Sequence, residues 1–129
     1  MNKIIIEVST GELLDKISIL EIKNEKIKDP EKLKFISNEH SILKSQLEKN
    51  VNSDDKLENL FQELKEINAK LWVIEDDKRE CEKNKDFGEK FIKLSRDIHF
   101  LNDDRAKIKL EINNHTGSVI KEIKEYTSY

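Results

Sequence analysis

Apolar residues recur along most of the chain at alternating spacings of three and four, the period of one helix face rather than of a strand. Leu13, Ile17, Leu20 and Ile27 form a first stripe, widened by Leu14, Ile19 and Ile22. So wide a face predicts contact with more than one partner helix. Leu33, Ile36, His40, Leu43 and Leu47 form a coiled-coil-like seam in which His40 is a partly buried packing residue. Leu57, Phe61, Leu64 and Leu71 follow, and then Phe91, Leu94, Ile98, Leu101, Ile108 and Ile112.

The breaks between stripes carry helix punctuation. Ser9-Thr10-Gly11-Glu12 reads as a capping box, with Ser9 as N-cap and Glu12 reaching back to it. Asp29-Pro30 stops one helix and starts the next, and Ser53 or Asp54 caps the third. Asp86 and Glu89 read as a second capping box, and Gly117 supplies a left-handed C-cap. Ser118 is expected to cap a short last helix, and Ile4–Val8 forms an extended arm. The expected helices are about 10–28, 30–49, 55–83, 87–114 and 119–126, in one domain spanning 1–129. The short link near Asp86 makes the third and fourth an antiparallel hairpin. The expected fold is all-α: an antiparallel four-helix bundle with a long helix 3–helix 4 hairpin and a short C-terminal helix. Because the first two helices are shorter, the long hairpin is expected to protrude, which makes a homodimer plausible.

Composition supports helices. Of 129 residues, 40% are charged, with only 3 Gly and 1 Pro. Disorder, the competing reading of so charged a chain, fails because the apolar residues are periodic. A net charge of −3 provides no basic excess for nucleic acid. The single cysteine, Cys81, excludes an internal disulfide and reads as a small apolar filler. The N-terminal apolar run is three Ile, too short for a signal peptide, and no stretch approaches the ~20 apolar residues of a membrane span. A soluble, cytoplasmic protein without a membrane partner is expected.

One polar seam interrupts this pattern. Asn68, Trp72, Glu75, Asp76 and Arg79 continue the apolar face of the third helix, and Asn102 and Arg105 sit among Ile98, Leu101 and Ile108 on the fourth. Arg79, Arg96 and Arg105 are the only arginines among 24 basic residues, and two of them fall on these seams. The guanidinium fork suits carboxylate or phosphate recognition. Two readings stay open. In one, Glu75 or Asp76 pairs with Arg105 or Arg79 in a buried network. In the other, the same residues line a cleft for a small anionic ligand. At the start of the first helix Glu12 serves the cap and Asp15 faces the helix dipole, a solvated helix start.

Familiar chemistries of helical bundles find no footing. A di-metal carboxylate site wants Glu-x-x-His pairs, and none of His40, His99 or His115 has Glu three residues earlier. The paired acids of an all-helical pyrophosphatase and the clustered arginines of a helical chorismate mutase are also missing, as are a phosphate loop and a nucleophile–base pair. No metal and no cofactor are expected.

The segments GELLDKISILEIK (11–23), LWVIEDDKRECE (71–82), DFGEKFIKLSRDI (86–98) and NDDRAKIKLEIN (102–113), with Gly117-Ser118, resemble an uncharacterised family of short bacterial helical proteins. The Trp-Glu-Asp-Arg and Asn-Arg portions also resemble a second uncharacterised helical family. The resemblance implies a link to surface-glycan synthesis but no agreed activity. It points to Asp15, Lys16, Trp72, Glu75, Asp76, Arg79, Asn102, Asp103 and Arg105 as candidate ligand-binding residues. The expected function is a non-catalytic binding or accessory module. The alternative is a small enzyme acting on a phosphorylated or carboxylated metabolite, with Arg79 and Arg105 holding the anion and Glu75 or Asp76 as acid or base.

Overall fold

The computed structural model describes residues 2–129. It contains four helices, α1 (Thr10–Lys26), α2 (Pro30–Asn50), α3 (Asp55–Lys83) and α4 (Glu89–Thr116), and no strand among the described residues.

Short polar side chains set the first three starts. Ser9 Oγ accepts the amide of Glu12 at 3.1 Å, Asp29 accepts that of Glu31 at 3.0 Å ahead of Pro30, and Asp54 accepts that of Leu57 at 2.8 Å. Gly117 ends α4 in the left-handed conformation, φ 65°, with its amide bonded to the Asn113 carbonyl.

The tip between α3 and α4 departs from the capping box expected there. The N-cap of α4 is Gly88, which offers no side chain, and Asp86 instead accepts the Gly88 amide at 3.1 Å. What organises the turn is the end of α3. The Asp86 amide bonds to the Cys81 carbonyl and the Lys85 amide to that of Glu82, the paired bonds of a Schellman ending. Lys85 occupies its left-handed position at φ 52°, where a Cβ is unfavourable. Lys85→Gly should therefore raise the stability by about 0.5–1 kcal/mol, read as a higher urea midpoint.

α1 touches all three other helices, as its wide apolar face requires, whereas α2 approaches only α1 closely. On α2 the seam positions Leu33, Ile36, His40, Leu43 and Leu47 turn inward. The core gathers Leu14, Leu57, Leu60, Leu64 and Ile112, with Leu47, Val51, Phe61 and Ile108 packed around it. It sits where the start of α1, the first half of α3 and the end of α4 meet. At that end His115 clasps Asp54 at 2.8 Å. Further along, Lys65 bridges Glu21 and Glu25 of α1, and His40 lies 3.4 Å from Glu21.

Beyond this head the packing thins. Among the described residues no hydrogen bond or ion pair joins α1 or α2 to the hairpin closer to its tip than Asn68 on α3 and Arg105 on α4. Between Trp72 and Glu111, Cys81 is the only buried residue. From Trp72 to Lys83 the two helices continue for about 18 Å at ~1.5 Å per residue.

No helix forms over 119–126, contrary to the sequence expectation. A helix of about two turns is marginal unless it buries a face. Here Val119 is 100% and Ile123 77% exposed. The segment is instead an irregular strap lying back along α4. Ser118 Oγ accepts the Thr10 amide and donates to the Ile120 carbonyl, Glu122 reaches Lys109, and Tyr129 bonds to Asp103 and packs on His99 and Phe100.

Candidate functional site

Asp15 is the centre of the polar groups, in place of the solvated first-turn acid the sequence suggests. It is 1% exposed. One carboxylate oxygen accepts from Asn68 Nδ2 at 2.9 Å and Arg105 Nε at 3.0 Å. The other accepts from the Arg105 terminal nitrogen at 2.5 Å, so the guanidinium fork closes on both oxygens. Lys109 lies 3.8 Å from the same oxygen. Asn68 also donates to Ser18 Oγ at 2.8 Å, and that hydroxyl donates to the Asp15 carbonyl. Among the described residues no buried side-chain nitrogen or oxygen lacks a partner.

Glu12 does not reach back to close a capping box. Its carboxylate pairs with Lys109 at 2.7 Å and lies 3.8 Å from the exposed Lys16. Next to it, the Gly11 amide donates to Asn113 Oδ1 at 2.7 Å, and Asn113 is 1% exposed. A Cβ on Gly11 would lie 2.5 Å from the Lys109 carbonyl oxygen, so glycine permits the close approach of α1 to α4. Gly11, Asp15 and Ser18, spaced four and three, form the α1 face of this joint. Small and polar residues on one helix face mark a close contact there but do not name its partner.

Burial alone would push the Asp15 carboxyl up. The Arg105 and Asn68 hydrogen bonds and the charges of Arg105 and Lys109 outweigh it and hold Asp15 below its ordinary range. Its bond to Asp15 likewise raises Arg105, against the opposing effect of burial. A depressed carboxylate stabilises fully above its unfolded pKa of about 3.9 and loses that contribution as pH falls through the lower folded value. Urea midpoints of wild type and Asp15→Asn should therefore differ at pH 7, begin to converge as pH falls below about 4, and meet only below the depressed folded value, where native Asp15 protonates.

The other seam residues lie elsewhere. Neither Glu75 nor Asp76 pairs with Arg105, because α1 inserts Asp15 first. Glu75, Asp76 and Arg79 are exposed, and among the described residues none makes a side-chain hydrogen bond or ion pair. Trp72 is half-buried beside them, and Glu75 is near enough to Arg105 to favour its charged form. Asn102 is exposed and accepts from Arg105 at 3.3 Å, and Asp103 holds Tyr129. Among the described residues no three His, Cys, Asp or Glu side chains are grouped to hold a metal ion.

A cleft of about 550 Å³ lies between α4 and the strap. Arg105, Lys109, Lys124 and His99 line it with Glu12, Asp103 and Glu122, and Tyr126 contributes an aromatic wall. Its cations are already engaged: Arg105 by Asp15, Lys109 by Glu12, and Lys124 by Glu122 at 2.9 Å.

Comparison with known families bears on the motif residues now placed. A model of a family of unknown function, DUF6165, matches residues 4–129. The chain belongs to that family. No curated protein and no solved structure gives a match. The DUF6165 match spans the α1–α4 joint, the hairpin and the strap alike. No helix among the described residues is long and apolar enough to cross a membrane.

Proposed function

We propose that this DUF6165 chain is a non-catalytic, cytoplasmic binding module in which the joint around Asp15 is scaffold and the distal hairpin is the working surface. One observation carries the reading. The hairpin leaves Trp72, Phe91, Leu94, Ile98 and Leu101 only partly covered over a stretch with a single buried residue. Two helices cannot enclose their own apolar side chains, and a face of this kind is suited to a partner. The joint, in contrast, is saturated internally and presents no free charge to a ligand. As an accessory to surface-glycan synthesis, such a module supplies contacts rather than chemistry.

The cleft beneath the strap favours a second reading, a site for a small anion, with or without turnover. Arg79, Glu75 and Asp76 do not line it, so this reading rests on Arg105, Lys109 and Lys124. Thermal melts with millimolar sugar phosphates, nucleotides and dicarboxylates separate the two. The module reading expects no shift. A rise in melting temperature that Lys124→Ala abolishes would establish the cleft as a ligand site and overturn that reading.

A further inference from the structure

The groove that α1 fills in the head continues, uncovered, along the hairpin. On α3, Lys65 and Asn68 face α1, and Trp72, Glu75, Arg79 and Glu82 extend that line towards the tip at spacings of three and four. On α4, Asn113, Lys109 and Arg105 face α1, and Asn102, Ile98, Ser95 and Phe91 extend theirs. Covering such a face takes another helical surface.

We propose that the cover is the same hairpin of a second copy, paired about a two-fold axis that passes between Glu75 and Arg79. This rests on the binding-module reading and names its partner. An axis of this kind demands a self-complementary face, and the hairpin has one in both charge and shape. Glu75 and Arg79 are opposite in sign, one turn apart, exposed and unpaired within the chain among the described residues. Reversing the direction of a second α3 about their midpoint, Asp77, sets each Glu75 against the other copy's Arg79.

The same axis suits α4. Lys78 lies over the Phe91 ring at 5.2 Å, and Asn68 meets Arg105 on Asp15. Asp77 is thus roughly level with Leu94. Phe91 and Ile98, both half-buried, stand about equally far on either side of that level. The two-fold therefore brings Phe91 of one copy towards Ile98 of the other. A hairpin face about 18 Å long is small for a stable interface, so the dimer dissociates on dilution.

Sedimentation equilibrium of the full chain, from micromolar to near-millimolar concentration, tests this with four proteins. Wild type should show a monomer–dimer equilibrium. Glu75→Arg and Arg79→Glu each place like charges together twice and should weaken dimerisation at least about tenfold. The double variant Glu75→Arg/Arg79→Glu exchanges the charges and should restore it. Both substituted positions are exposed, and circular dichroism should report unchanged helix. Wild type that stays monomeric overturns the pairing while leaving the binding-module reading, which the ligand panel tests separately. Dimerisation that neither single variant weakens overturns the axis.

Discussion

Arg105→Ala should lower the free energy of unfolding by about 3 kcal/mol, the low end of the range for stripping one partner from a buried ion pair. The cost arises because Asp15 stays behind, almost fully buried and still charged. It lies at the low end because Asn68 and Lys109 remain beside the carboxylate, and the Arg105 side chain itself keeps 29% of its exposure. Arg105→Lys should fall between wild type and alanine, since an ammonium keeps the charge but loses the fork. Arg79→Ala, in contrast, should change stability by no more than about 0.5 kcal/mol, because an exposed side chain with no partner in the chain is being truncated. Urea unfolding followed by circular dichroism measures all three. Equal losses from the Arg79 and Arg105 truncations would contradict the assignment of the buried pair.

Gly11→Ala should be nearly as damaging, at about 2–3 kcal/mol, the upper part of the range for overpacking. Alanine would ordinarily favour a helix over glycine by about 1 kcal/mol. Here the added methyl meets the Lys109 carbonyl at 2.5 Å and Asn113 Oδ1 at 2.9 Å. The first of these is backbone inside α4 and cannot swing aside. The start of α1 must move away, loosening both the Gly11–Asn113 bond and the Glu12–Lys109 pair. A Gly11→Ala protein with the wild-type urea midpoint would show that the two helices have room to separate.

The helices were legible because their signals are local. Ser9, Asp29 with Pro30, Asp54 and Gly117 each act within one turn of themselves, and each does so in the structure. The breadth of the α1 stripe likewise announced several neighbours. The joint was not legible because its decisive contact spans 90 residues. An acid in the first turn of a helix satisfies the dipole and a buried guanidinium equally well on paper. The polar seam offered Glu75 or Asp76 to Arg105, and Glu75 does lie near enough to favour its charge, but the sequence could not show that α1 crosses there first. Asn68 and Arg105, both on the seam, do meet, on one oxygen of Asp15. The tail misled for a related reason. Val119, Ile120, Ile123 and Tyr126 have apolar character, but no surface in the fold receives them as a helix face.

The contacts of α1 with α4 also order events during synthesis. The Thr10 and Gly11 amides donate hydrogen bonds to partners 108 and 102 residues further along the chain. A ribosome adding roughly 5–20 residues per second therefore presents α1 for several seconds before its seat exists. During that interval Leu14, Ile17 and Ile22, all buried in the finished protein, have only α2 and then α3 to lie against. The charges that surround the stripe, Glu12, Lys16, Glu21, Lys23, Glu25 and Lys26, keep that unfinished helix dispersed until Asn113 emerges to receive it.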